Sequence, residues 1–449
     1  MLSCFTTDKT NAVPVECVTV SEYSSWISKQ PAFVQSWLNA TQFRAEPTAF
    51  RLIADSDNQL SRVVICVSDK NGEWDVGNLP MQLPEGIYDI KSLNKNHVIA
   101  WGMGAYQFTR YKNPKREAAK LFVTDSHAGS SSIVESIYLV RDLINTPTDD
   151  MGPSELSRAA KILAEEFGAI YTEIVGEDLL KQNYPAIHAV GRASDDAPRL
   201  IDMKWGDKNH PRITLVGKGV CFDTGGLDIK PSQYMLLMKK DMGGGAHALG
   251  LARMIMSAKL PVFLRVLIPA VENAVSGNAY RPGDVVKSRK GLTIEIGNTD
   301  AEGRVILADA LTEAVNDNPD LIIDLSTLTG AARVALGTEL PAVFANNDDV
   351  VDAVIKSGMK ENDLMWRLPL FAPYREHLNS QIADINNNSS DSYAGAISAA
   401  LFLKEFVPDA IPWLHFDMMA WNTRARPGKP IGGEAMCLRA LFDYLNEKY

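Results

Sequence analysis

Asp300 and Glu302 are two carboxylates separated by a single residue. In an extended backbone, side chains two residues apart point the same way, so both acids, and with them Arg304, could face one spot. Gly297 and Gly303 would permit a sharp change of direction on either side. Close carboxylates repel unless a cation or a shared proton relieves them, which indicates metal binding. A solvated turn between a strand and a helix explains the same pair, and for the pair alone it is the favoured interpretation.

A second charged segment, Lys218–Pro231, places two lysines and two acids in a predicted glycine-bearing loop directly after a strand. Its charged residues are Lys218, Asp223, Asp228 and Lys230. Lysines on loops usually lie at the surface. Here the apolar residues Phe222, Leu227 and Ile229 interleave with the charges, which predicts that the loop is packed down and that Lys218 reaches into a site.

Asp241 stands immediately before a predicted helix, Met242–Leu260. It suits the helix N-cap and a metal site equally well. The seven histidines form neither an HExxH nor an HxH pattern, and the chain has no GxSxG elbow and no GxxxxGK[ST] loop. Any metal must therefore be held mainly by carboxylates.

The elements that would position these residues alternate between strands and helices. The predicted strands are Arg212–Val216, Pro261–Ile268, Leu292–Ile296 and Leu321–Leu325, and a helix is predicted from Arg304 to Val315. This alternation predicts an α/β fold with a mostly parallel central sheet flanked by helices. Ligands of such sheets collect at the carboxyl ends of strands. Lys218, Asp223, Asp300 and Glu302 all follow predicted strand ends.

The length of 449 residues exceeds one ordinary core, so we expect two domains. A smaller N-terminal α/β domain is predicted at residues 1–128 and a larger domain carrying the charged motifs at residues 148–449. A connecting helix is expected at residues 129–147, because Ser131–Ile144 has helical spacing and Asn145-Thr146-Pro147 stops it. A second helix follows from Pro153 to Phe167.

Composition narrows the class of protein. Hydrophobic residues are 46% and charged residues 22%, the balance of a globular protein. No apolar stretch approaches the roughly 20 residues of a membrane span, and no signal peptide is evident, so we expect a cytoplasmic protein. The five cysteines form no CxxC pair, which favours neither disulfides nor a thiolate zinc site. A net charge of −10 argues against nucleic-acid binding.

Five blocks of this sequence resemble the leucine (cytosol) aminopeptidases. They are Val216–Gly219, Phe222–Gly226, Ile229–Pro231, Asp241–Gly244 and Asn298–Arg304. The last block reads Asn-Thr-Asp-Ala-Glu-Gly-Arg, the signature of that family, and the separation between the blocks also agrees. The resemblance covers roughly residues 135–445, whereas the first 125 residues show little similarity.

The resemblance implies a metal-dependent aminopeptidase that hydrolyses the N-terminal residue of peptides through a water activated by two divalent ions, zinc or manganese. The implied ligands are Lys218, Asp223, Asp241, Asp300 and Glu302. A lysine ligand must be neutral, and two dications supply the field that removes its proton. Lys230 would stay charged and stabilise the oxyanion. Arg304 would anchor a bicarbonate ion that acts as the general base.

The same resemblance implies a pocket for the first side chain of the substrate. Its residues would be Met238, Thr327, Gly330, Met419 and Asn422. The segment Asp417-Met418-Met419-Ala420 departs from the Asp-Ile-Ala-Gly usual in the family. If Met419 replaces a pocket-lining alanine, the pocket is narrower and its specificity changed, although a repositioned strand would make room for it.

Two alternatives remain open at this stage: a non-catalytic or moonlighting DNA-binding hexamer, and a two-metal dipeptidase. The intact set of candidate ligands argues against lost catalysis, and the acidic net charge argues against DNA. The expected partners are peptides with a free N-terminus and further copies of the chain in a homohexamer. Neither a membrane nor a nucleic acid is expected as a partner.

Overall fold

The computed structural model describes residues 2–449, which divide into two compact units. The first unit runs to Tyr138 and includes Thr423–Ile431, and the second comprises Leu139–Asn422 and Gly432–Tyr449. The division falls within the predicted connecting helix. No helix among residues 2–449 has both the length and the apolar character that crossing a membrane requires.

The first unit is built on a six-stranded sheet in the order β1-β6-β5-β2-β4-β3. Its strands are β1 Phe5–Thr6, β2 Val13–Thr19, β3 Phe50–Ala54, β4 Leu60–Val67, β5 Ile87–Ile90 and β6 Lys120–Phe122, and its helices are α1 Tyr23–Ser28, α2 Ala32–Ala40 and α3 Lys95–Ala105. Neighbouring strands are parallel except β3 and β4. Helix α2 buries Val34 and Leu38 in a small core, as the predicted α/β domain requires.

Two helices follow the predicted pattern closely. Helix α4 spans Ala128–Asn145 and ends two residues before Pro147, because the residue preceding a proline disfavours the helical conformation. Helix α5 spans Pro153–Phe167, with proline in its first turn and Gly168 in the left-handed conformation (φ 66°) after its last residue. These are the residue types favoured at the two ends of a helix.

The second unit contains the remaining elements. Its strands are β7 Ile170–Val175, β8 Arg199–Trp205, β9 Arg212–Gly217, β10 Gly219–Asp223, β11 Phe263–Asn273, β12 Val285–Lys287, β13 Thr293–Glu295, β14 Leu321–Ser326, β15 Ala342–Ala345, β16 Trp366–Arg367, β17 Ile385–Asn386, β18 Trp413–Asp417, β19 Trp421–Asn422 and β20 Gly432–Gly433. Its helices after α5 are α6 Asp178–Lys181, α7 Pro185–Gly191, α8 Ser232–Met235, α9 Gly243–Ala258, α10 Glu302–Val315, α11 Gly330–Leu336, α12 Asp348–Lys360, α13 Gly395–Lys404 and α14 Leu438–Lys448.

A nine-stranded sheet forms the centre of this unit, in the order β16-β15-β18-β14-β9-β11-β8-β7, with β10 beside β11. The central strands β18, β14, β9 and β11 are parallel to one another, whereas β15, β8 and β7 add antiparallel pairs toward the edges. Strand β14 is buried along its whole length, as expected for a strand covered on both faces. The predicted α/β fold with a mostly parallel central sheet flanked by helices is confirmed.

Two predicted elements are wrong in their placement. Strand β13 matches the predicted strand Leu292–Ile296, but it lies in a separate three-stranded sheet with β12 and β17. Residues Gly219–Asp223 were expected in a loop and instead form β10, which pairs in parallel with β11. Local sequence patterns indicate strands but carry no information about which distant strand supplies the hydrogen bonds.

Candidate metal centre and substrate cavity

Asp223, Asp300 and Glu302 converge although they come from different elements. One carboxylate oxygen from each lies within 4.8 Å of the others, an arrangement that could hold a metal ion. Asp223 is the last residue of β10, and Glu302 is the first residue of α10. The extended backbone expected around Ala301 is wrong, because Ala301 (φ −109°, ψ 38°) is the N-cap of α10. A turn into a helix, and not strand alternation, brings the two acids together.

Lys218 lies between β9 and β10 and is 2% exposed. Its Nζ is 2.6 Å from Asp241 Oδ2 and 2.8 Å from Glu302 Oε1. Gly303 makes room for this side chain, because a Cβ there would lie 2.4 Å from Lys218 Cε. Gly303 therefore permits close approach inside a helix, and the predicted change of chain direction at this residue is wrong.

The prediction that apolar side chains pack the loop after β10 against the protein is also wrong. Leu227 and Ile229 are exposed, by 40% and 61%. Lys218 is buried between β9 and β10, where Asp241 and Glu302 contact it. Lys230 is held by acids: its Nζ is 2.7 Å from Asp223 Oδ2 and also contacts Asp300 Oδ1.

Asp241 is not a helix N-cap. It belongs to a 3-10 helix, Met238–Met242, and the N-cap of α9 is Met242. Its carboxylate instead accepts a hydrogen bond from Thr327 Oγ1 at 2.7 Å and one from Lys218 Nζ at 2.6 Å. Asp241 was predicted to be either a helix N-cap or part of a metal site. The structure excludes the N-cap and shows that Asp241 faces the acidic cluster.

The electrostatics of this cluster are those of a site that needs positive charge. Burial and the neighbouring Asp223 raise the pKa of Asp300 to about 6 and the pKa of Glu302 well above its usual range. Burial alone would lower the pKa of Lys218, but the surrounding carboxylates, Asp241 first, outweigh it and raise that pKa. Lys218 Nζ lies near Glu302 Oε1 without hydrogen-bonding geometry, so this buried oxygen accepts no hydrogen bond from any residue between 2 and 449. Oxygen and nitrogen donors of this kind suit a divalent metal.

A layer of neutral residues orients the acids, and the sequence patterns did not point to most of it. Asn273, the last residue of β11, donates a hydrogen bond from Nδ2 to Asp223 Oδ1 at 2.8 Å. Thr299 accepts from the backbone N–H of Asp228 and donates to Gly225 O, which joins the loop after β10 to the signature segment. Such partners fix the orientation of metal-ligating carboxylates. The only sequence signal for Asn273 was its position at the end of a long apolar strand.

Arg304 lines the same cavity and is held by a residue that was also missed. Its Nη1 donates to Asn387 O at 2.8 Å, and the Asn387 side chain accepts from the backbone N–H of Gly297 and Asn298. Burial lowers the pKa of Arg304 to about 10, which leaves the guanidinium charged at neutral pH. The only feature of the sequence that could have pointed to Asn387 is the run of three asparagines, residues 386–388.

The cavity has a volume of about 710 Å³. Four of the predicted pocket residues, Met238, Thr327, Gly330 and Met419, lie in its lining. The fifth, Asn422, is not among the lining residues: it is buried, and its Nδ2 donates to the Glu434 carboxylate. The pairing of β19 with β20 holds Asn422 in that position.

Fold and site together define an α/β enzyme with a carboxylate-rich candidate metal centre at the carboxyl edge of a mostly parallel sheet. Comparison with known proteins identifies its family. Residues 138–442 match the model of the cytosol aminopeptidase family catalytic domain, and residues 13–124 match that of the M17 aminopeptidase N-terminal domain. The second match covers the part of the chain in which sequence motifs showed little similarity.

Individual relatives agree with the family models. A probable cytosol aminopeptidase of Syntrophotalea carbinolica is 40% identical over 366 residues, covering 77% of this chain and 73% of the relative. The crystal structure of a cytosol aminopeptidase from Coxiella burnetii superposes with a TM-score of 0.97 at 53% identity, covering 100% of both chains. The bottromycin maturation enzyme BotP in complex with Mn has a TM-score of 0.86 at 30% identity, covering 97% of this chain and 99% of BotP. The chain belongs to the cytosol aminopeptidase family, and its function is that of a metal-dependent aminopeptidase.

Proposed function

We propose that the cavity holds two divalent metal ions, zinc or manganese, and removes the N-terminal residue of peptides. The proposed ligands are Lys218, Asp223, Asp241, Asp300 and Glu302. The convergence of three carboxylate oxygens within 4.8 Å is the observation that carries the proposal. Manganese is supported by the Mn complex of BotP.

When bound, the two ions would supply a Lewis acid for the scissile carbonyl and lower the pKa of the attacking water. The residues of the chain prepare this chemistry. Asn273 and Thr327 hold Asp223 and Asp241 in fixed orientations, so that little reorganisation is needed. Lys218 would bind as the neutral amine, because a dication in place of its proton relieves the same carboxylates.

Lys230 and Arg304 supply fixed positive charge. Lys230 is 13% exposed, so it reaches the open part of the site, where its ammonium would donate to the oxyanion that forms on the substrate. Arg304 would hold a bicarbonate ion as general base, because a planar guanidinium grips an oxyanion through two parallel hydrogen bonds. Its Nε donates a hydrogen bond to no residue among 2–449 and is available for this purpose.

The excess of carboxylates also explains a preference for chain ends. A free α-amino group would be drawn to these acids, whereas an internal peptide bond offers no such group. Substrates are therefore peptides with a free N-terminus. We further propose that the enzyme is cytoplasmic and works as a homohexamer, as the family resemblance implies.

The test compares the wild type with Glu302→Gln for metal content and for hydrolysis of leucine, alanine and methionine p-nitroanilides. Both metal and activity are expected to fall together. Glu295→Gln is the matched control, because Glu295 lies in β13 and accepts a hydrogen bond from Ser380 that glutamine can also accept. Activity that survives in Glu302→Gln would sink the proposal.

A further inference from the structure

The lining of the substrate cavity includes two cations that the proposed chemistry does not use. Lys240 lies in the 3-10 helix Met238–Met242, and Arg333 lies on α11. Both line the cavity, and Lys240 is 1% exposed. Neither side chain makes a hydrogen bond to any residue in the 2–449 range.

The acids near Lys240 accept hydrogen bonds from other residues. Asp241 Oδ1 is 4.0 Å from Lys240 Nζ, beyond hydrogen-bonding distance, and the Asp241 carboxylate accepts from Thr327 and Lys218. Asp417, whose charge also acts on Lys240, accepts hydrogen bonds from the backbone N–H and the hydroxyl of Thr329.

The neighbouring Lys239, in contrast, has hydrogen-bonding and aromatic partners. Its Nζ donates to Asn145 O at 2.6 Å and lies 5.5 Å from the centre of the Trp421 ring. It is not among the residues that line the cavity. Lys240, one residue further on, is more deeply buried and has no such partners.

A buried ammonium without a hydrogen-bond partner is costly, and proteins keep such a group where a ligand supplies the missing acceptor. Lys240 could serve as a counter-charge for the acidic cluster. However, Lys230 already contacts Asp223 at 2.7 Å, and the proposed metal ions would add further positive charge. Lys240 is therefore surplus to the metal centre.

Arg333 lies next to the predicted pocket for the first side chain of the substrate. A Cβ built on Gly330 would lie 3.7 Å from Arg333 Nη2, so the guanidinium borders a residue expected to contact the first side chain of the substrate. Arg333 and Lys240 both line this cavity, and the Arg333 charge acts on Lys240.

We propose that Lys240 and Arg333 form an anion subsite that binds the side-chain carboxylate of an N-terminal aspartate or glutamate. This inference rests on the proposed aminopeptidase function. The C-terminal carboxylate of a dipeptide has the same chemistry, and the substrates below distinguish the two sources.

The test measures kcat/KM of the metal-loaded enzyme for α-glutamyl and glutaminyl p-nitroanilides, which differ mainly in charge. Charge-assisted hydrogen bonds lead us to expect a preference for glutamate of at least about tenfold. Lys240→Met should reduce that ratio to about one, and Arg333→Gln should reduce it in part. Lys239→Met is the matched control and should leave the ratio unchanged. Arg333→Gln keeps the test decisive if Lys240→Met fails to fold, since Arg333 is partly exposed.

Equal rates for the two arylamides would overturn the proposal. A preference for dipeptides over dipeptide amides that is the same for glutamyl and glutaminyl substrates would also overturn it, because the subsite would then read the C-terminal carboxylate. If no arylamide is hydrolysed at all, the proposed function fails, and the subsite is judged by binding alone. In that case L-glutamate should raise the Tm of the metal-loaded protein more than L-glutamine does, and equal shifts would contradict the subsite.

Discussion

Helix α10 carries two buried carboxylates, Glu302 in its first turn and Asp309 two turns later, and their surroundings differ completely. Asp309 Oδ2 accepts from the backbone N–H of Ala186 at 2.8 Å and of Ile187 at 3.3 Å, and its Oδ1 accepts from Arg289 N at 2.7 Å. Glu302 faces other carboxylates, and its Oε1 accepts no hydrogen bond among residues 2–449.

Burial raises the pKa of both acids, that of Asp309 to about 7, so the direction of the pKa shift does not separate them. The partners do. Asp309 ties α10 to the start of α7 and to the turn after β12, which is a structural role. Glu302 is crowded by like charge that a cation would relieve, and this is expected at a functional site.

The largest expected effect separates activity from stability at Glu302. Glu302→Gln should lower kcat/KM by about 10³-fold, because loss of a proposed metal ligand would remove several kcal/mol of transition-state stabilisation. The free energy of unfolding of the chelator-treated variant should not fall below that of the wild type, since a repelling charge is removed. Urea denaturation and steady-state kinetics check the two halves. If Glu302→Gln strongly lowered the free energy of unfolding, Glu302 would have a structural role like that of Asp309, and the proposed difference between the two acids would be wrong.

Asp309→Ala should show the opposite behaviour. Three buried backbone N–H groups lose their acceptor, at a cost of about 1 kcal/mol or more each, so the free energy of unfolding should fall by at least about 3 kcal/mol. Activity per folded molecule should stay within about twofold, measured at a temperature where the variant is fully folded. A stable but inactive variant would show that Asp309 belongs with Glu302.

His247, on α9, is a second buried titratable group with a structural role, and its effect on stability should depend on pH. Its Nδ1 is 2.6 Å from Gly243 O, and its Nε2 accepts from Met436 N, so the ring is satisfied as the neutral form. Burial lowers the pKa of His247 to about 4 from its usual 6.5. The unfolded chain therefore takes up the proton first, and this contribution to stability is present above pH 6.5 and is lost as the pH falls toward 4.

The size of this effect is up to about 3 kcal/mol between pH 6.5 and 4. Urea denaturation of the wild type and of His247→Gln should show a stability difference that shrinks as the pH falls through this range. A difference that is constant with pH would mean that His247 is not held neutral by the fold.

The smallest expected effect concerns Met419 in the cavity lining. Met419→Ala should raise the ratio of leucine to alanine p-nitroanilide hydrolysis by about tenfold, because each methylene of space in a tight pocket is worth about 1–3 kcal/mol. A wild-type enzyme that already turns over leucine much faster than alanine or glycine would contradict the narrowed pocket. The side chain of Met238, on the same lining, provides a second position for comparison.

The sequence by itself determined the family, the α/β alternation and the identity of the charged residues. Helices α4 and α5 were predictable because their signals, helical spacing and prolines near their ends, lie within a few residues of one another. The Asn298–Arg304 signature was recognisable for the same reason, since it is contiguous.

Tertiary structure decided everything that depends on partners far apart in the chain. It placed β13 outside the central sheet, Asp241 beside Lys218 and not at a helix N-cap, and the Asn422 side chain against Glu434. The contacts that define Asp309 join it to residues more than 100 positions earlier. The roles of Glu302 and Asp309 differ because of what packs around them, and sequence patterns of short range cannot specify that packing.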